Sequence, residues 1–176
     1  MLVALRLLAN DTTDLRGLIL LDSMAYRQSY PYFIRLLRIP VVGGLITSVT
    51  SPEFQVRRIL ELAYYDDSKI TEDQIEAYAE PIRTPEGRHA LIETARQILP
   101  PDLEKITGMF KEISVPTLIL WGGEDRIVPI EVAHRLDEDL PNSDLIVLPR
   151  AGHLPHEEQP QPILNAISDF LRRNSL

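Results

Sequence analysis

The run Val115–Trp121 is largely apolar and ends in Gly122-Gly123-Glu124-Asp125. A short apolar stretch closed by glycines and an acid fits a strand buried on both faces, and such strands belong to parallel sheets covered by helices. Leu18–Leu21, held between Gly17 and Asp22, has the same character, and Leu145–Leu148 reads as a third strand. With helical patterns around them, these runs commit the chain to an α/β architecture of about three parallel strands with flanking helices. The loops that follow carry the chemistry. Asp125 lies beyond one strand, and Ala151-Gly152-His153 lies beyond the next, with the histidine 28 residues after the acid. Loops leaving the carboxyl ends of neighbouring parallel strands converge on one edge of the sheet. An acid and a histidine so placed form the charge-stabilising half of a nucleophile–His–acid triad.

Three segments follow from the pattern. Residues 1–23 hold a core helix over Leu2–Ala9, ended by Asn10-Asp11-Thr12-Thr13, and the first strand. Residues 24–113 lose the strand rhythm and become a helical insertion, far longer than an ordinary connection. Within it, Pro52-Glu53 starts a helix with Val56, Ile59, Leu60 and Ala63 on one face, and Thr71 with Gln74 three residues later spells a capping box. Thr84-Pro85 opens a third helix with Leu91, Ala95, Ile98 and Leu99 at helical spacing, and Pro101-Asp102 a fourth. Residues 114–176 return to α/β order. A helix over Ile130–Leu140 turns Ala133, Leu136 and Leu140 inward, and a closing helix over Pro162–Leu171 carries Ile163, Ile167, Phe170 and Leu171 on one stripe.

Composition removes several classes of function. A net charge of −8 without a basic stripe argues against nucleic acid as a partner. The absence of cysteine excludes disulfides, thiolate metal sites and a cysteine nucleophile. Ile39–Val49 is too short for a membrane span and is broken by Pro40, Gly43 and Gly44, so no membrane partner is expected. The N-terminal apolar stretch lacks a basic region and a cleavage site, which leads us to expect a cytoplasmic protein.

Taken together, Val115-Pro116-Thr117-Leu118-Ile119-Leu120-Trp121-Gly122-Gly123-Glu124-Asp125, Ile127-Val128-Pro129, and Ala151-Gly152-His153 with Glu157 and Pro160 resemble the α/β-hydrolase superfamily. The resemblance is to its capped branch of esterases, epoxide hydrolases, dehalogenases and carbon–carbon bond hydrolases. Leu15–Ser23 is similar to that family's sixth strand, and Met24–Ile113 to its cap. The resemblance implies the C-terminal part of an α/β-hydrolase fold plus a helical cap, with Asp125 and His153 as catalytic acid and base. It implies no cofactor or metal, and a small apolar ester or related substrate for the complete enzyme. The family's Gly-x-Ser-x-Gly elbow, or its aspartate equivalent, does not occur in these residues, nor does its His-Gly oxyanion loop. The chain is therefore expected to be inactive alone. The alternative is a non-catalytic module that pairs, as a homodimer or with an N-terminal half, through the open edge of the Leu18–Leu21 strand.

Other residues compete for these roles. His156 lies close to His153 but lacks the preceding glycine, and His89 and His134 fall in helical stretches. Ser23 follows a strand without the flanking glycines or immediate helix of an elbow. Asp22, at the same strand end, is a candidate displaced acid, and Glu124 a solvent-facing carboxylate. A metal cluster of His153, His156, Glu157 and Glu158 lacks the His-Glu-x-x-His spacing. Tyr26, Tyr30, Tyr32 and Phe33 are candidates to line a cap pocket, although such aromatics more often pack.

Overall fold

A computed structural model describes residues 15–98 and 100–176. The helix expected over Leu2–Ala9, the turn after it and Leu99 lie outside the described residues. In chain order the elements are β1 (Leu18–Leu21), α1 (Tyr32–Leu37), α2 (Pro40–Val49), α3 (Pro52–Ala63), α4 (Glu72–Ala79) and α5 (Pro85–Arg96). They continue with α6 (Leu103–Gly108), β2 (Thr117–Gly122), α7 (Ile130–Asp139), β3 (Ser143–Leu148), α8 (Pro155–Glu158) and α9 (Pro160–Arg173). Contacts divide the chain into two compact units. One comprises Met1–Tyr26, Ala63–Asp66 and Asp102–Leu176; the other comprises Arg27–Leu62 and Asp67–Pro101.

The first unit is built on a parallel sheet in the order β1-β2-β3. Leu18 pairs with Thr117 and Leu21 with Leu120, while Gly122 lies opposite Leu148. Because β2 is central, all six of its residues are buried, which is why its sequence is continuously apolar. Leu118 and Leu120 join Leu148, Ala151 and, from α9, Ile163 and Phe170 in one cluster. Burying each leucine, isoleucine or phenylalanine side chain of this cluster contributes about 1.5–3 kcal/mol. Ala133 and Leu136 of α7 are also fully buried, and this helix packs on β2 and β3.

β3 departs from the expected buried strand: Ile146 and Val147 remain more than a third exposed. Among the described residues it has a strand neighbour on one side only, so its apolar run meets solvent where that of β2 meets neighbours.

The second unit is helical. Ile34 and Leu37 of α1 pack with Ala95 of α5, and Tyr30, Phe33, Leu91 and Ile98 lie against them. Thr71 and Gln74 close the expected capping box at the start of α4, and the Thr84 hydroxyl accepts from the Gly87 amide at the start of α5. Of the candidate pocket aromatics, Tyr32 points to solvent. Tyr26 belongs to the first unit, where its ring meets Phe110 edge-on at 5.7 Å and its hydroxyl donates to Asp139 at 2.8 Å. Both are packing or surface residues rather than a pocket lining.

Candidate active site

The carboxyl ends of β2 and β3 lie side by side, and two loops meet there at very close range. A Cβ on Gly122 would fall onto the carbonyl oxygen of Gly152 and lie 2.6 Å from that of Ala151. A Cβ on Gly152 would in turn overlap the Ala63 carbonyl and lie 2.8 Å from the Tyr65 amide. No glycine among the described residues has a positive φ. Gly122 and Gly152 are thus required by backbone proximity rather than by a left-handed conformation.

Asp125 is held by the loop it stands in. Its Oδ1 accepts from the Ile127 amide at 2.7 Å and the Val128 amide at 2.9 Å, and its own amide donates to the Gly122 carbonyl at 3.2 Å. The side chain is wholly buried, and Oδ2 lies 2.8 Å from Nδ1 of His153. His153 is positioned from its backbone: its amide donates to the Ala63 carbonyl at 2.6 Å. The His153 side chain is about a quarter exposed, and it is Nδ1, not Nε2, that faces the acid. This is the arrangement by which a carboxylate fixes an imidazole tautomer and steadies its protonated form.

Two further carboxylates complete the site, in roles other than the displaced acid considered for Asp22 and the metal ligand considered for Glu158: it is Asp125 that meets His153 Nδ1, while Asp22 and Glu158 accept backbone amides. Glu158 is 4% exposed, and its carboxylate collects three backbone amides: Gly152 at 2.6 Å through Oε1, and Tyr65 and Asp66 at 3.0 and 3.1 Å through Oε2. It thereby ties the His153 loop to the segment after α3. Its only sequence signal is a position four residues past Leu154 among acids, and nothing in that pattern announces burial. Asp22 sits at the end of β1, also 4% exposed, with Oδ1 accepting from the Gly122 amide at 2.8 Å. Burial, opposed by that amide and reinforced by the charge of Asp125, pushes its carboxyl up to about 8. Its backbone is left-handed at φ 40°, a conformation aspartate tolerates better than most residues. Polar side-chain atoms of Asp22, Asp125 and His153 all lie within 4.8 Å of one another.

The competing candidates separate cleanly. His156 is exposed on α8, with Nε2 3.9 Å from Glu157. His89, His134 and Glu124 are exposed. Ser23 donates back to the Leu21 carbonyl at 3.1 Å and is followed by non-helical chain until Tyr32, so it forms no elbow. The cluster of His153, His156, Glu157 and Glu158 is not assembled: Glu158 is engaged by backbone amides, and Glu157 accepts from the Tyr64 hydroxyl. Among the described residues no helix is long and apolar enough to cross a membrane.

A parallel sheet carrying an acid loop and a histidine loop at adjacent strand ends, in a chain with a helical second unit, defines a class. The chain belongs to the alpha/beta hydrolase family, whose model matches residues 2–166. It is 36% identical over 155 residues to the uncharacterized hydrolase YugF of Bacillus subtilis (strain 168), covering 88% of this chain and 55% of that protein. It is 31% identical over 121 residues to the 2-hydroxy-6-oxononadienedioate/2-hydroxy-6-oxononatrienedioate hydrolase of Burkholderia vietnamiensis (strain G4 / LMG 22486), covering 67% and 41%. Among solved structures, an alpha/beta hydrolase fold protein from Burkholderia ambifaria superposes with a TM-score of 0.81 at 25% identity, over 96% of this chain and 62% of that one. A thermophilic esterase from Thermogutta terrifontis gives 0.72 at 28% identity, over 98% and 61%. The chain thus spans about half the length of the curated relatives it matches.

Proposed function

We propose that this chain supplies the acid, the base and the helical cap of an α/β-hydrolase acting on an ester or a related small apolar substrate. Asp125 orients His153 and stabilises its protonated form; His153 Nε2 takes the proton of a nucleophile and returns it to the leaving group. The observation that carries this reading is the 2.8 Å contact between His153 Nδ1 and a wholly buried Asp125 side chain. No Gly-x-Ser-x-Gly or Gly-x-Asp-x-Gly motif occurs in the 176 residues. The purified chain is therefore expected to leave short p-nitrophenyl esters unhydrolysed. Joined to the N-terminal half of the Bacillus subtilis relative, it is expected to turn them over, with His153→Ala abolishing the activity. A joined protein equally active with and without His153 would overturn the assignment. The Burkholderia vietnamiensis relative's name makes 2-hydroxy-6-oxononadienedioate the second substrate to assay.

A second reading has its own observation. Among the described residues β1 has a strand neighbour on one side only. Its open edge is a surface through which a second copy of the chain, or an N-terminal half, can add a strand.

A further inference from the structure

We propose that Asp22 is a positioning residue of the Asp125–His153 pair, carried as a neutral carboxylic acid whose Oδ2 hydroxyl faces the Asp125 carboxylate. The inference rests on the assignment of that pair under the proposed function and adds a third member to it.

The geometry sets an electrostatic problem. Two carboxyl groups and an imidazole bring polar atoms within 4.8 Å of one another, and the Asp22 and Asp125 side chains are both shielded from solvent. Like charges so close cannot both ionise cheaply where the surroundings screen them poorly. Their environments decide which yields. Asp125 is the better anion, since its Oδ1 accepts two backbone amides and its Oδ2 faces the imidazole. Asp22 has one backbone amide on Oδ1, while its buried Oδ2 accepts from no group among the described residues. An ionised Asp22 would leave that oxygen charged, buried and unsatisfied; a proton turns it into a donor toward Asp125. The negative charge of Glu158 acts in the same direction, and the rise of Asp22 to about 8 agrees with this order of ionisation.

The consequence bears on the base. Below about pH 8 Asp22 is neutral and faces the Asp125 carboxylate, so it adds no second negative charge behind the His153 ring. As pH rises through that range Asp22 loses its proton, and a second negative charge appears within 4.8 Å. That charge favours the protonated imidazole and so opposes release of its proton. Asp22 keeps the pair singly charged across the neutral range.

The test needs no substrate and no other polypeptide, so its failure is distinct from failure of the hydrolase reading. In the 176-residue chain labelled with ¹³C and ¹⁵N, the Asp22 carboxyl carbon and the His153 ring nitrogens are followed from pH 5 to 10. The Asp22 carbon is expected to titrate near pH 8, and the His153 nitrogens to show an inflection at the same pH. Asp22→Asn keeps a carbonyl for the Gly122 amide and an N–H for Asp125, mimicking the neutral acid. It is expected to remove the inflection near pH 8 while leaving the His153 signals unchanged below pH 7. An Asp22 carbon that titrates below pH 5 in the unmodified chain overturns the proposal, and so does an inflection near pH 8 that persists in Asp22→Asn. The carbon titration decides the matter even where the variant fails to fold.

Discussion

At the residue scale, Asp22 and Glu158 are two buried carboxylates, one unsatisfied and one satisfied, with opposite consequences for stability. Asp22 has its carboxyl raised to about 8 from an ordinary value of 3.8, so the folded state binds a proton that the unfolded chain has released. Stability tied to this group is therefore complete below about pH 4 and is lost progressively as pH rises to about 8. Removing the charge should recover it: Asp22→Asn is expected to stabilise the chain at pH 8 by up to roughly 4 kcal/mol relative to its effect at pH 4. Urea unfolding of both proteins at the two pH values measures the difference, and parallel stability curves would refute the expectation. Glu158 presents the reverse case, because its two oxygens serve three backbone amides. Glu158→Gln replaces one acceptor with a donor, which must confront either the Gly152 amide or those of Tyr65 and Asp66. A loss of about 1–3 kcal/mol is expected, with faster hydrogen exchange at Gly152 and His153.

At the element scale, the two loops at the sheet edge form one unit through contacts that tolerate no extra atom. A methyl on Gly122 would overlap the Gly152 carbonyl, and both atoms belong to backbone rather than to a flexible side chain. Gly122→Ala is thus expected to push the acid loop from the His loop and weaken the Asp125–His153 contact. A thermal shift of several degrees downward, with loss of any downfield proton signal from His153 Nδ1, would register it. The same elements show what a sequence can disclose. Leu18–Leu21 and Val115–Trp121 are legible as strands because burial on both faces demands unbroken apolar residues. Thr71–Gln74 is legible because a capping box is local chemistry. Asp125 and His153 are legible as partners because strand order places their loops together. α1 and α2 are not, since residues 32–49 mix apolar residues with glycine and proline in no clear period, and Val41, Leu45 and Val49 stay exposed. The structural weight of Asp22 and Glu158 is equally silent: whether one acid is buried depends on amides far away in the chain, such as Gly122 for Asp22.

At the scale of the whole molecule, the open side of β1 makes a prediction that the site does not. Leu18 and Asp22 donate their amides toward the β2 segment, at 2.9 and 3.1 Å, so the intervening amides of Ile19 and Leu21 point to the opposite side. A strand of four residues offers little area, and interfaces well below about 1,200 Å² in total hold only weakly. Pairing of two copies through this edge should therefore be concentration dependent, with dissociation in the micromolar range or weaker, and visible by sedimentation velocity across a hundredfold dilution series. Ile19→Pro removes an amide that β2 does not use and places a ring on the open side, so it should yield a monomer while the sheet of the first unit persists. A circular-dichroism melt of the variant separates lost pairing from lost folding. If the unmodified chain sediments as one monomeric species at every concentration, the edge does not recruit a second copy. Strand addition by a separate N-terminal half then becomes the form of the pairing hypothesis to test, by mixing the chain with that half of the Bacillus subtilis relative and looking for a 1:1 complex that Ile19→Pro prevents.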